Sequence, residues 1–569
     1  MNKSLKEKLG FLFFIGALFT YILVKLPSDT SVLCSNGNEG FYLIYGQHLL
    51  NGKHLYVDIL TVRGPLFIAF YSLVLAIFGF TTYSIIAVHL FHTLIIILIS
   101  IAIYLITKKI SRNSLFGGLA VCLWVLFQIT PIGFWGPKLE LEATFALEAE
   151  YFCVLLSLYS ILCMLFSFEL KQAGKNRLIL SFCSGLLAAL SIMFKASGAI
   201  VAIAIICWII YLLLFERESL DNQKHNILSF CIGLFCSLLI FVVSLFIYNG
   251  ELASFWQSYF MFGNYSKEPL SPWLLILRIK RFMYRYVPSL SNFILFFVAF
   301  LLFFWGLIRN YLIKKTDKML NLFFPLISVW GIGNVCAIIA TGDYGSYYYI
   351  LIWPSISIIT PLGLQDLFRN IEVVNKNLIK FSIIFLITLF AFNRLQTVFP
   401  MYSLVTKEKL MANFLKQPQS FQDPIIPYDL TLMKRSTALA IGDVINSYVP
   451  DKKDSLYIFA FAKGHQYFSP SIYIYAKRPP VSAITSDWLH YEKFSNVSLT
   501  ILRRQLYGNL PKILILPENS HLKEWQVKTL MPFLYELNYL IREKYHLKDK
   551  FNIELESKEK DVYQVFERN

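Results

Sequence analysis

Glu39 is the residue of this chain at which chemistry first suggests itself. It stands in a polar stretch after the first hydrophobic segment, Ser35-Asn-Gly-Asn-Glu-Gly-Phe-Tyr-Leu-Ile-Tyr-Gly-Gln-His-Leu-Leu-Asn-Gly-Lys-His-Leu-Tyr-Val-Asp58, followed by Arg63-Gly-Pro65. Asn36 or Asn38 can cap a short helix that starts near Glu39 and stops at Asn51-Gly52, which puts the acid in the first turn, where the macrodipole favours its charged form. An ionised carboxylate just outside a membrane can take a proton from a lipid or sugar hydroxyl. A solvated acid at a helix start is the plainer reading of the same residue.

Other reactive groups lie further along. Glu140, Glu142, Glu148 and Glu150 crowd a later loop and the start of the next apolar segment. Paired acids there could hold a divalent cation or an acceptor, although the spacing of Glu148 and Glu150 sends them to different faces of a helix. His89 and His92, three apart inside an apolar segment, could form a ligand pair, but without a nearby third ligand they read as hydrogen-bonded core residues. Arg278, Lys280, Arg281 and Arg285 share one loop, and spacings of three and four place the three arginines on one helical face. Tyr347, Tyr348 and Tyr349 read as an interfacial aromatic belt.

The elements that must position these residues are membrane helices. The chain has 569 residues, 56% of them hydrophobic and 17% aromatic, with a mean hydropathy of +0.56, which excludes an ordinary soluble globular protein. Its net charge of +16 sits mostly in short loops between apolar segments, which orients a membrane protein and points away from nucleic acid. The nine cysteines fall in or beside apolar segments and imply no disulfide framework.

About eleven spans are expected, near residues 9–26, 83–107, 113–130, 151–168, 178–194, 197–215, 227–248, 290–308, 320–340, 347–364 and 379–398, each near the ~20 residues a bilayer requires. No small-residue cleavage site follows the first, which reads as a retained helix. With a cytoplasmic N-terminus, the Lys and Arg clusters at 108–112, 171–177, 217–224, 309–318 and 369–380 fall on one side. The loops at 27–82, 131–150, 249–289 and 341–346 then face outward, as does everything after 400. Residues 64–80 would invert this scheme if they crossed, so they are expected to form a re-entrant or interfacial helix. The arginines at 278–285 then lie outside, against the positive-inside trend, and anchoring to lipid headgroups is one reason for them.

From about residue 400 the composition becomes soluble-like. Strands are expected at Ser455–Phe461 and Lys512–Leu516, a helix at Phe533–Tyr545 and a last strand at Val562–Phe566. The expected organisation is a transmembrane domain over 1–399 and a small extracytoplasmic α/β domain over 400–569, large enough for its own core.

Three short motifs carry a resemblance: Asn38-Glu39-Gly40-Phe41-Tyr42, Gly52-Lys53-His54-Leu55-Tyr56-Val57-Asp58 and Arg63-Gly64-Pro65. They resemble the first outer loop of the GT-C superfamily of membrane glycosyltransferases, in particular the bacterial relatives of protein O-mannosyltransferases and of the lipid A aminoarabinose transferase. Gly342-Asp343-Tyr344-Gly345-Ser346-Tyr347-Tyr348 through Trp353-Pro354 is similar to the family's His-Tyr approach to a late helix. The resemblance implies a GT-C-like polytopic helical fold with a small outward α/β domain, in a bacterial cytoplasmic membrane.

It also implies an inverting transfer of a sugar from a polyprenyl-phosphate donor to a glycolipid, polysaccharide or protein hydroxyl. The family's catalytic Asp falls on Asn38, an amide, so the base role passes to Glu39 or the chain is an inactive relative that binds polyprenyl phosphate. Arg63, Arg278, Arg281, Arg285 and Lys195 are the cations that would meet the leaving phosphate; Lys195 could equally snorkel. Glu148, Glu150, Asp58, Tyr347 and Tyr348 are candidates for acceptor or metal contacts. Members of the family differ in metal use, so a divalent cation stays open. A carrier or flippase for a lipid-linked substrate is the alternative from another class.

Overall fold

The computed structural model describes residues 3–29, 37–129, 146–169, 175–215, 224–249, 275–280, 318–341, 346–370, 445–449, 454–458, 471–482, 492–517, 524–554 and 560–569, with a few isolated positions between. Its first part is helical: α1 (Lys3–Asp29), α2 (Gly37–Leu50), α3 (Pro65–Phe78), α4 (Thr82–Ser111), α5 (Ser114–Ile129), α6 (Ala149–Glu169), α7 (Lys175–Phe194), α8 (Ala199–Phe215), α9 (Lys224–Asn249), α10 (Lys318–Thr341) and α11 (Trp353–Asn370). Among the described residues seven helices are long and apolar enough to cross a membrane, and they coincide with seven of the expected spans. The chain is a multi-pass membrane protein.

Two other expected spans differ. Residues 113–130 form a helix of only 16 residues. Residues 347–364 are not one helix: a 3-10 turn, Ser346–Leu351, precedes α11, with Pro354 falling in the first helical turn, where a missing N–H is tolerated. Spans 290–308 and 379–398 lie outside the described residues. The 64–80 segment is α3, fourteen residues beginning at Pro65, short of the ~20 a crossing needs.

Close contacts between helices rest on small residues. On α7 and α9, a Cβ on Gly185 would come within 2.1 Å of the Phe230 carbonyl and one on Gly233 within 2.2 Å of the Phe182 carbonyl, so the two backbones touch as small-residue interfaces allow. Between α6 and α7 hydroxyls make the seam. Ser160 and Ser184 each donate to the other's carbonyl at 2.8 Å, and one turn or two further on Ser191 donates to the Cys153 carbonyl at 3.2 Å. This antiparallel register brings the start of α6 to the end of α7.

α2 ends as its sequence dictates. Gly52 takes φ +77°, its N–H bonds the Leu49 carbonyl at 3.1 Å and Lys53 N–H bonds the His48 carbonyl at 3.0 Å, the paired bonds of a Schellman stop. At the start of α2 the expected cap is absent in Asn38, which is helical and turns its amide elsewhere; Asn36 lies outside the described residues.

The C-terminal part holds a four-stranded sheet of order β1-β2-β4-β3, with β1 (Leu456–Ile458), β2 (Ile513–Pro517), β3 (Tyr545–Glu554) and β4 (Lys560–Arg568). β1 and β2 are parallel and the β3–β4 pair is antiparallel. Around it lie α12 (Ser471–Tyr475), α13 (Glu492–Gly508) and α14 (Glu524–Lys544). The helix expected from Phe533 starts earlier, at Glu524. Strand β3 goes unread in the sequence because it is an edge strand whose charged residues break the alternation on which strand reading depends.

This part touches α2. His48, in the last turn of α2, is 3% exposed, near Lys53, Asp58 and the backbone of Pro480 and Ser482, and burial reinforced by Lys53 pushes its imidazole down to about 4. Since the unfolded chain would protonate His48 near 6.5 while the folded chain would not, stability should fall by up to roughly 3 kcal/mol as pH drops from about 6.5 to about 4, and be flat in this respect above 6.5. Thermal unfolding against pH should show this slope in the wild type, reduced in His48→Gln.

Candidate active site

Arg63 is brought to the seam between α6 and α7 by a glycine. Gly64 N–H donates to the Phe194 carbonyl at 2.9 Å, and a Cβ on Gly64 would lie 2.0 Å from the Met193 carbonyl oxygen, so only glycine permits the approach. Pro65 then starts α3 with the φ it already holds. The result sets Arg63 beside Glu148, Glu150 and Lys195.

These four charges form one buried cluster. Arg63 Nη2 is 3.2 Å from Glu148 Oε2 and Nη1 is 3.7 Å from Glu150 Oε1. Lys195 Nζ pairs with Glu150 Oε1. Both glutamates are fully buried and the two cations are below one-tenth exposed. Tyr42 ties the arrangement together: its hydroxyl donates to Glu148 Oε2 at 2.7 Å and accepts Arg63 Nε at 2.9 Å. Asn38 Nδ2 donates to Glu148 Oε1 at 2.8 Å. The Tyr348 ring lies 4.2 Å from Lys195 Nζ as a cation–π partner.

Burial pushes the Glu148 carboxyl above its ordinary range, against the opposing pull of Arg63. Burial, and then Arg63, lower the Lys195 ammonium, against Glu150. A carboxylate of raised basicity next to two cations can accept a proton from a hydroxyl while the cations face an anion.

Several sequence expectations change here. Glu148 and Glu150 do not diverge, because α6 begins at Ala149 and Glu148 precedes the helix, so helical spacing does not separate them. Lys195 does not snorkel; it is buried and paired. Glu39 is buried at the cluster's flank, its Oε2 3.1 Å from His89 Nε2 and its Oε1 accepting Leu147 N–H at 3.4 Å. Asp58 lies away from the cluster, against Arg504 of the C-terminal part. Arg278 is buried and donates to the Ala340 carbonyl, while Arg281 and Arg285 lie outside the described residues, as do Glu140 and Glu142. Tyr348 and Tyr349 are buried rather than set in a lipid-facing belt, Tyr349 stacking on Trp353 at 5.8 Å; nothing is described of the Tyr347 side chain. His92 meets Lys25 at 2.9 Å, also in the core. Among the described residues no group of three or more His, Cys, Asp or Glu side chains comes together to hold a metal.

Tyr42 is the hub that sequence reading missed. Its signal was present, since it falls four residues after Asn38 and three after Glu39 on one helical face.

With this geometry in hand, comparison with known proteins is informative about fold. No protein-family model matches the chain, and no curated protein sequence matches it. Solved structures do. ArnT from Cupriavidus metallidurans is similar over 97% of this chain and 97% of its own, with TM-score 0.52 and 12% identity in the apo state, and 0.51 and 11% bound to undecaprenyl phosphate. The archaeal oligosaccharyltransferase AglB from Archaeoglobus fulgidus aligns over 97% of this chain and 74% of its own, with TM-score 0.47 and 12% identity. The chain shares the overall fold of ArnT.

Gly64→Ala is expected to force the Arg63 turn off α7, lowering the melting temperature and destabilising by about 1–3 kcal/mol. Thermal unfolding of the purified protein in detergent reads the shift.

Proposed function

We propose that the protein transfers a sugar from a polyprenyl-phosphate-linked donor to a hydroxyl acceptor, a glycolipid, polysaccharide or protein, with inversion at the sugar carbon. The observation that carries this reading is the buried cluster in which Arg63 and Lys195 meet Glu148 and Glu150, set in a GT-C fold. ArnT, whose fold this chain shares, has been solved with undecaprenyl phosphate, which supports a lipid phosphate as the anchor of the donor. The reaction takes place at the outer face of a bacterial cytoplasmic membrane, with residues 1–399 as the transmembrane domain and 400–569 as an extracytoplasmic domain.

In the proposed step the acceptor hydroxyl gives its proton to the Glu148 carboxylate as its oxygen attacks C1 from the side opposite the phosphate. The C1–O bond to phosphate breaks, and polyprenyl phosphate leaves with the electron pair, its charge met by Arg63 and Lys195. Glu148 is preferred over Glu39 for the base because it touches Asn38, the position the family gives to its acid. Glu39 holds the 147–148 backbone through the Leu147 N–H.

Glu148→Gln should retain undecaprenyl phosphate binding and slow transfer by about a hundredfold or more, measured with radiolabelled lipid-linked sugars, whereas Glu39→Gln should lose less. Full transfer by Glu148→Gln combined with loss in Glu39→Gln would return the base role to Glu39. The rate should also be bell-shaped in pH. Its rising limb lies above the ordinary glutamate range because burial raises Glu148, and its falling limb lies below the ordinary lysine range because burial lowers Lys195. Lys195→Arg, whose guanidinium stays charged, should push the falling limb upward and leave the rising limb in place. An unmoved falling limb would exclude Lys195 from it.

A further inference from the structure

Arg63 reaches the charge cluster from a loop that the C-terminal part of the chain grips. Tyr56 in this loop takes φ +68°, a left-handed conformation that a bulky residue adopts only when its surroundings impose it. Its hydroxyl donates to the Arg63 carbonyl at 2.9 Å and its N–H to the Ile59 carbonyl at 2.9 Å, so the two ends of the loop are clasped. The middle of the loop belongs to the other part of the molecule. Leu60 is 2% exposed in a core with Leu502, Leu506 and Phe533, and Val62 packs against the same core.

Polar contacts fix the loop at Asp58. The Asp58 carboxylate takes the Arg504 guanidinium, and its backbone carbonyl accepts Gln505 Nε2 at 3.0 Å. Gln505 is itself held, since Ser482 donates to its Oε1. Two adjacent residues of α13 thus hold the side chain and the backbone of one loop residue. The same loop ends on the cation that bridges Glu148 and Glu150.

We propose that Arg504 and Gln505 are positioning residues for sugar transfer: the C-terminal domain fixes the 56–63 loop and thereby sets the Arg63 guanidinium between the two glutamates. This rests on the glycosyl-transfer reading and gives the C-terminal domain a part in the reaction through Arg63. Charged contacts are sensitive to such placement, and misplacement by about 1 Å can cost two orders of magnitude in rate.

The test uses the full chain. Arg504→Ala, Gln505→Ala and the two combined are each made alone and together with Arg63→Lys, and kcat and donor KM are measured beside undecaprenyl phosphate binding and melting temperature. The Arg504 side chain is 55% exposed, so its truncation leaves the fold in place. The combined variant should lose about three- to tenfold in kcat, with Arg504→Lys recovering most of the loss of Arg504→Ala. On the Arg63→Lys background the same changes should have little further effect. Equal losses on both backgrounds, or an unchanged kcat, would overturn the positioning role. A wild-type protein that neither binds undecaprenyl phosphate nor transfers sugar would overturn the glycosyl-transfer reading, and the positioning role with it.

Discussion

Two cations and two carboxylates buried together in a membrane protein set the constraint on which the rest of this structure depends. Each such charge alone would cost several kcal/mol to remove from water, and removing one partner of a buried pair typically costs 3–5 kcal/mol because the other is left uncompensated. Arg63, Lys195, Glu148 and Glu150 come from three separate places in the chain. Their mutual neutrality therefore requires three backbone segments to be held to within hydrogen-bond tolerance. The serine seam of α6 and α7 sets two of them, and the Gly64 contact with the Phe194 carbonyl sets the third. Neighbouring buried polar groups are hydrogen-bonded as well: His89 meets Glu39 and Lys25 meets His92.

Neutrality has a consequence for the proposed reaction. A phosphate diester arriving at Arg63 and Lys195 adds a negative charge to a site already balanced. It must draw the cations partly away from Glu148 and Glu150, and a carboxylate that loses part of its cationic partner becomes a stronger base. Donor binding would thus strengthen the group that accepts the proton. Tyr42, which donates to Glu148 and accepts from Arg63, stands where that shift would pass.

The membrane class of the chain, the seven long helices among its described residues and the short α2 were legible in the sequence, because apolar length and the Asn51-Gly52 stop are local signals. In the first loop the closeness of Asn38, Glu39 and Arg63 was legible, since they fall within one short stretch. What stayed hidden was tertiary. No spacing rule shows that Glu148 precedes the helix and so turns toward Arg63, or that Lys195 ends α7 opposite Glu150. Nor does a sequence show that Asp58 belongs to a contact with α13, since the two sides lie more than four hundred residues apart. The edge strand β3 was lost for a local reason, its charges obscuring the alternation.

The amide at Asn38 looked in the sequence like a missing catalytic acid, and the geometry gives it another meaning. Its Nδ2 lies 2.8 Å from Glu148 Oε1, a distance at which two carboxylates could not both be ionised. An acid at position 38 and a glutamate at 148 would share a proton, and the pair would carry one negative charge. With an amide at 38, Glu148 can ionise alone, keeps a neutral donor on one oxygen and keeps Tyr42 and Arg63 on the other. The amide and the glutamate are thus complementary in this chain: the carboxylate facing position 38 comes from the residue just before α6.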